Sequence, residues 1–352
     1  MKKNITVDNR RAFLNKLLVG LSGAVLPWGA FAAMRSNKTV RSTILQEEKV
    51  FVPVMLTAYK DDGSIDYDGM DRLIDHYLAK GAKGFFANCL SSEMYDLSDE
   101  EKLKLTQHVV NRIKGKYPVV ATGSFGETMV QKAEFAKRMK DTGVDAVILI
   151  TSHFAGKEEG DATMIKNLEA FLKHTGDIPF GTYECPSPYK RILSPEVLRF
   201  LLQTDLMVYH KDTTENMAHI TEKLSVSEGS RLGLYNAHIG SAVASLRAGA
   251  AGLSPIAGNF YPELITWVCD HASEPGSKQD ADWLQQKLVE TEPLISKQYQ
   301  LGARYFLNKE GVNLAIKSRK SGDPLSKAQT KVLDRIFEDL QDWKGRLGIH
   351  TS

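Results

Sequence analysis

The chain has 352 residues, of which 42% are hydrophobic and 25% charged, with 45 basic and 43 acidic side chains. That balance excludes a disordered, collagen-like or polytopic membrane protein. A formal charge of +2, with no segment interleaving Lys and Arg with aromatics, also excludes an ordinary nucleic-acid binder.

The charge is unevenly placed. Five basic side chains against Asp8 give the first 33 residues +4, which leaves −2 for the remainder. This segment has a basic start, an apolar run from Leu17 to Ala33 and small residues at Ala30, Ala32 and Ala33, the pattern of an export signal. Arg10-Arg11 followed by Ala12-Phe13-Leu14 and Lys16 resembles the twin-arginine type. The run is short for a spanning helix and is weakened by Gly20, Gly23, Pro27 and Gly29, so an uncleaved membrane anchor is the alternative. The expected division is a signal at 1–33, a linker at 34–46, a folded domain at 47–276 and an extension at 277–352. The folded part is expected outside the cytoplasm, most simply in the periplasm, with contact to the membrane only through the signal.

From Lys49 onward short β-rich runs alternate with stretches of helical period. Strands are expected at Val50–Thr57, Gly84–Asn88, Val119–Gly123, Ala146–Thr151, Phe180–Tyr183, Met207–Lys211, Leu232–Tyr235 and Gly252–Ser254. Between the first two, Asp68–Lys80 places Met70, Leu73, Ile74, Tyr77 and Leu78 on one helical face. Ser98 with Glu101 forms a capping-box pattern, and Ser194-Pro195 a cap followed by a first-turn proline. Gly81, Gly115, Gly143 and Gly249 fall where left-handed helix caps are wanted. Eight strand–helix units over about 230 residues predict a (β/α)8 TIM barrel, whose usual size is about 250 residues. A doubly wound open sheet is the competitor, but no G-x-G-x-x-G turn follows the first strand. Beyond Pro275-Gly276-Ser277 only helices are expected. Trp283, Leu284, Leu288, Leu294, Ile295 and Tyr299 form one apolar face and Val332, Leu333, Ile336, Leu340 and Trp343 another. This C-terminal helical extension should pack on the barrel or on a second subunit.

Barrel enzymes place their chemistry where strands end. Those positions hold Thr57 and Tyr59; Cys89, Ser91, Ser92 and Glu93; His153 and Phe154; Tyr183; Lys211; Asn236 and His238; and Ser254. Alternation puts Met207, Tyr209 and Lys211 on the inward face of the sixth strand, with His210 turned outward as a packing residue. An inward lysine is desolvated, its pKa falls, and the neutral amine becomes a nucleophile for carbonyl groups. Glu93 is expected to cap the following segment, and His153 and His238 are candidates for contact with a substrate hydroxyl or for acid-base work. Cys89, Cys185 and Cys269 are too widely spaced for a metal pair and read most simply as free thiols, although Cys89 and Cys185 both lie near the mouth. The strand ends show no ligand spacing, so no metal is expected.

Several motifs, taken in order, are similar to one family: Val54-Met55-Leu56-Thr57-Ala58-Tyr59 with Asp62-Gly63-Ser64-Ile65-Asp66; Leu97-Ser98-Asp99-Glu100-Glu101-Lys102; Pro118-Val119-Val120-Ala121-Thr122-Gly123; Gly181-Thr182-Tyr183-Glu184-Cys185-Pro186 with Leu193-Ser194-Pro195-Glu196; and His210-Lys211-Asp212-Thr213. Over about residues 50 to 300 the chain resembles the dihydrodipicolinate synthase and N-acetylneuraminate lyase family of Schiff-base-forming TIM barrels. The resemblance implies a Schiff-base lysine at Lys211, an active-site tyrosine at Tyr183 and a pyruvate-type 2-keto acid as substrate. Ser91 and Ser92 would bind its carboxylate, and Thr57, His153, Asn236 and Ser254 would complete the pocket. It further implies a lyase or aldolase that needs no organic cofactor, assembled as a homodimer or homotetramer. A dehydratase of a keto-deoxy sugar acid and a non-catalytic keto-acid-binding barrel are the alternatives. Two departures bear on the substrate. The second loop reads Cys89-Leu90-Ser91-Ser92-Glu93 where relatives carry Gly-Thr-Thr-Gly-Glu or Gly-Ser-Thr-Gly-Glu. The fourth reads Ser152-His153-Phe154 where the synthases have a tyrosine pair. The loss of the fourth-loop tyrosine, and export, argue against dihydrodipicolinate synthase activity, and the exported setting points to a sugar-derived keto acid.

Overall fold

The computed structural model describes residues 48–349 apart from 298 and 321, so the expected signal and linker lie outside the described residues. The strands are β1 (Val50–Phe51), β2 (Phe85–Asn88), β3 (Val119–Thr122), β4 (Ala146–Ile150), β5 (Phe180–Tyr183), β6 (Met207–Asp212), β7 (Gly233–Asn236) and β8 (Gly252–Leu253). All pair in parallel, in the order β1-β8-β7-β6-β5-β4-β3-β2. The two ends of that order meet where Val54 bridges Phe86, with Met55 N donating to Phe86 O at 3.1 Å and Phe86 N to Pro53 O at 3.0 Å. The sheet therefore curls back on itself, as eight βα units require.

The helices on its outside are α1 (Tyr67–Ala79), α2 (Asp99–Ile113), α3 (Met129–Asp141), α4 (Asp161–Thr175), α5 (Pro195–Leu202), α6 (Met217–Ser227), α7 (Ala242–Arg247) and α8 (Pro262–His271). Their starts follow the expected chemistry. Ser98 and Glu101 exchange hydrogen bonds at the head of α2, and Ser194 accepts from Val197 N ahead of Pro195. Gly81, Gly115, Gly143 and Gly249 take positive φ after their helices.

Alternation along the strands separates two cores. Residues such as Phe85, Ala87, Val147, Leu149 and Phe180 face the helices, while Phe86, Ile148, Ile150, Tyr183, Tyr209 and Tyr235 fill the inside. The β5–β6 register shifts between Phe180 and Gly181, which face Met207 and Tyr209. This bulge inserts Val208 and breaks the alternation. Met207 consequently packs in the outer core, contrary to the inward position expected of it, while Tyr209 remains inside and Lys211 follows it. Gly181 makes the close approach possible, since a Cβ there would lie 2.6 Å from Tyr209 O.

The C-terminal region is only partly helical. Helices α9 (Lys278–Ser296), α10 (Tyr299–Lys309) and α11 (Lys327–Arg346) pack on α7, α8 and one another, so the chain itself covers most of the apolar faces, with Leu294 left exposed. Tyr299 begins a separate helix rather than extending the face of Leu284, Leu288 and Ile295. Residues 312–320 and 322–326, expected to be helical, instead form a non-helical strap. Gly311 ends α10 at φ 83°, and Gly322 and Pro324 keep the helix from restarting before Ser326.

The strap explains Glu93, whose backbone closes the Leu90–Ser92 turn but whose side chain does not cap the following segment as expected. Glu93 is 1% exposed. Its Oε1 accepts from Arg304 Nη2 at 2.8 Å, and Oε2 accepts from Ser318 Oγ at 3.0 Å, Arg319 N at 2.6 Å and Lys320 N at 3.1 Å. Arg304, itself fully buried, also donates to Thr57 O at 2.6 Å. Arg319 completes the clamp with a two-pronged bond to Glu101. The first two loops of the barrel mouth are thus held by residues more than two hundred positions away.

Breaking a buried pair leaves an uncompensated charge. Arg304→Ala should lower stability by about 3–5 kcal/mol, whereas Lys287→Ala, which loses only the surface pair with Glu290, should cost under about 1 kcal/mol. Urea titration measures both, and equal costs would refute the anchoring role of Glu93.

Candidate active site

Lys211 sits on β6 with its side chain inside the barrel, 3% exposed. Its Nζ lies 4.7 Å from the Tyr183 ring centroid and 5.9 Å from that of Phe86. Register places Tyr183 beside it on β5 and Tyr235 on β7. Among the described residues no carboxylate pairs with Lys211. Burial lowers its pKa from 10.5 to about 8, against a small opposing influence of the Cys89 and Cys185 thiols. Burial likewise pushes the Tyr183 phenol well above its usual range, so it stays protonated and able to donate. The three cysteines are free and buried, and burial raises the Cys185 thiol.

The second loop forms a tight 3-10 turn, Leu90–Ser92. Ser92 is consumed by that turn: its hydroxyl bonds Met55 O at 2.7 Å and Ala87 O at 3.1 Å and receives Cys89 N at 3.1 Å. Thr57 donates to Ser92 O at 2.7 Å and Ser254 to Val52 O at 2.8 Å. Asn236 gives its amide to Ser241 and Ser245, both at 3.0 Å, and its carbonyl receives His238 N. Of the side chains expected to bind substrate, Ser92, Thr57, Asn236 and Ser254 therefore hold the loops in place. Ser91 differs, because its oxygen receives the Tyr299 hydroxyl at 2.6 Å.

His153 lies in the turn after β4. Its Nδ1 donates to Ser124 O at 2.7 Å, and its Nε2 faces the Tyr95 hydroxyl at 3.2 Å. Burial lowers its pKa to about 4, so it is neutral and offers Nε2 as an acceptor. His238 is half-buried, lowered by burial, and turned toward Ser241 Oγ at 3.1 Å. Sequence reasoning missed Tyr95, Ser124, Asn259, Tyr299 and Arg304. Arg304 and Tyr299 lie beyond the barrel in what reads as an amphipathic tail, where a buried Arg inside an apolar helix was the available signal.

His210 does point outward, but into a buried charge cluster rather than simple packing. Its Nδ1 meets Thr182 Oγ1 at 2.8 Å, and its Nε2 lies 3.5 Å from Glu184 and 3.7 Å from Asp212. Lys223 pairs with Glu184 and, at 2.7 Å, with Asp212. Three groups of metal-ligand type thus converge where the sequence spacing had suggested none. The ammonium of Lys223 already stands between the two carboxylates, so the donor set fits an internal salt-bridge network rather than an ion. Burial would raise both carboxyls, but His210 and Lys223 overcome it and hold them below their usual range. Burial would lower His210, and Asp212 and Glu184 overcome that to raise it.

The depressed carboxyls contribute stability above about pH 4 that is lost in acid, while the raised His210 contributes in full below about pH 6.5 and is lost as pH climbs through its folded value. The stability advantage of the wild type over His210→Gln, read by urea titration, should therefore be largest near pH 5 to 6 and shrink above pH 7. An advantage that grows with pH would contradict the assignment.

The dihydrodipicolinate synthetase family model matches residues 48–340. A 4-hydroxy-tetrahydrodipicolinate synthase of Oceanobacillus iheyensis is 24% identical over 292 residues, covering 82% of this chain and 92% of that protein. The enzyme of the same name from Staphylococcus haemolyticus is 22% identical, covering 82% and 96%. Among solved structures, a dihydrodipicolinate synthase superposes with a TM-score of 0.72 at 21% identity, over 83% of this chain and 99% of that one. The Escherichia coli K12 prophage protein YagE, solved in complex with pyruvate, gives 0.73 at 18%, over 83% and 98%.

Proposed function

The chain belongs to the dihydrodipicolinate synthetase family, and from that premise we propose that it is a lyase acting on a sugar-derived 2-keto acid through a Schiff base on Lys211, as an exported homo-oligomer. The observation that carries this reading is the amine itself. It is buried and has no carboxylate partner among the described residues. At pH 7 a pKa of about 8 leaves about one amine in ten neutral, against about one in three thousand for an unperturbed lysine.

The neutral amine adds to the C2 carbonyl, and the carbonyl oxygen takes up a proton to give a carbinolamine. Loss of water leaves an iminium. When the C4 hydroxyl gives up its proton, the C3–C4 bond breaks, its electrons move into the iminium, an aldehyde departs and an enamine remains. Protonation at C3 and addition of water release pyruvate and the free amine. Tyr183, protonated and packed against Lys211, is the proton donor suited to the carbinolamine oxygen. Pyruvate is also the compound bound in the YagE structure. His153 offers a neutral nitrogen where the synthases carry tyrosine, which favours a substrate hydroxyl rather than the synthase reaction. The twin-arginine-like start supports export, because sugar acids occur outside the cytoplasm while the synthase aldehyde does not.

Incubation with pyruvate and cyanoborohydride should give a reduced adduct that mass spectrometry places on Lys211 and that Lys211→Ala abolishes. No adduct with any short 2-keto acid would sink the proposal. The initial trapping rate should rise about ten-fold between pH 7 and pH 9, because the neutral fraction saturates above about 8; an unperturbed lysine would give about a hundred-fold. Tyr183→Phe should slow turnover on a panel of sugar-derived keto acids by about 10²-fold while changing binding little. Unchanged turnover would remove Tyr183 from the proton relay.

A further inference from the structure

Tyr299 comes from the helical tail, yet it ends a hydrogen-bond chain directed into the second loop. Asn259 Nδ2 lies 2.9 Å from Val54 O and 2.6 Å from the Tyr299 oxygen. A carbonyl only accepts, so the amide nitrogen must face Val54, which fixes the orientation of the Asn259 side chain. Its oxygen then receives the Tyr77 hydroxyl. The second Nδ2 hydrogen goes to the Tyr299 oxygen, and the single phenolic proton of Tyr299 goes to Ser91 Oγ at 2.6 Å. Every proton in Tyr77–Asn259–Tyr299–Ser91 is thereby assigned except the last. The Ser91 hydroxyl accepts from Tyr299 and has no protein acceptor for its own proton among the described residues.

We propose that Tyr299, oriented by Asn259, is a positioning residue that biases the Ser91 hydroxyl to donate toward the carboxylate of the 2-keto acid, an inference that rests on the Schiff-base reading only for the identity of the ligand. Ser91 belongs to the turn that also carries Cys89, one of the two thiols flanking Lys211. A serine rotor left alone can either accept or donate. With one of its two acceptor lobes filled by Tyr299 and its own proton uncommitted, the rotor is biased toward donation, which suits an anion. Tyr299 is half-buried with its phenol raised by desolvation, so its proton stays available for this bond. The four other hydroxyl and amide groups once expected to line the pocket are consumed internally, so the discrimination falls on Ser91.

The experiment compares reductive trapping of Lys211 by pyruvate and by pyruvate methyl ester, which lacks the negative charge, at concentrations below saturation. Tyr299→Phe should slow trapping by pyruvate about ten-fold, the scale of one charge-assisted hydrogen bond, through a higher KM, and leave trapping by the ester nearly unchanged. Ser91→Ala should show the same selective loss, and the double variant should lose no more than Ser91→Ala alone. A general packing defect would slow both substrates alike. Equal losses on pyruvate and ester, or additive losses in the double variant, would overturn the proposal. Binding of lactate, followed by calorimetry, needs no amine chemistry. A wild type that forms no adduct but binds lactate about ten-fold better than Tyr299→Phe would remove the Schiff base and support the role of Tyr299; failure of both measurements would overturn both readings.

Discussion

The architecture turns on keeping one buried amine without a counter-ion among the described residues. The other buried cations are satisfied: Lys223 by Glu184 and Asp212, Arg304 by Glu93, Lys344 by Glu263 and Glu310, and Lys102 by Asp99. Lys132 donates to backbone carbonyls. Among the described residues Lys211 receives only aromatic faces, which compensate a cation far less than a carboxylate does. The group relieves the resulting desolvation by releasing its proton more easily. A carboxylate at the same place would stabilise the fold and hold the lysine in its unreactive form.

Acidic residues lie next to this amine in sequence, and strand geometry keeps them away from it. Asp212 follows Lys211 directly, and Glu184 follows Tyr183 on the neighbouring strand. Successive side chains point to opposite faces, so both carboxylates fall outside the barrel while Lys211 and Tyr183 fall inside. Outside, Lys223 from α6 and His210 from β6 neutralise them. Glu184 also receives Leu193 N and Thr213 N, each at 2.8 Å, so the same network fixes the loops that leave β5 and β6. The pairing that stabilises these strands and the chemistry they present are thus separated by the thickness of one sheet.

What could be read from the sequence follows from how local its cause is. Lys211 and Tyr183 were legible because period-2 alternation and strand ends are local properties, and the capping box at Ser98 needs only three residues of context. Met207 was misplaced because a bulge depends on the partner strand, where Gly181 admits the Tyr209 backbone. Asn236 and Ser254 were correctly placed at strand ends, whereas the first strand ends at Phe51 rather than Thr57 and Ser92 lies in the turn after β2; the partners of all four are backbone carbonyls or side chains brought up by turns. Residue type alone does not say whether a hydroxyl is free or already engaged. Glu93, Arg304 and Tyr299 were hardest, because their contacts span more than two hundred residues and come from α10 and the strap, which together read as a plain helical tail in composition.

An anionic substrate must approach a folded part, residues 47–352, whose formal charge is −5. Exposed charges in the rest of the chain are screened over about 8–10 Å and cannot direct a small carboxylate to one loop. Inside the mouth the balance is different, since the nearest carboxylates are buried in pairs and Lys211 is partly charged. The electrostatic preference for an anion is therefore local, set by an amine that must be neutral to react and by donors that do not titrate. A non-titrating donor such as Ser91, its direction set by Tyr299, keeps its attraction for a carboxylate when Lys211 loses its proton. Binding of the anion and deprotonation of the nucleophile, which would oppose each other if both relied on Lys211, can then proceed together.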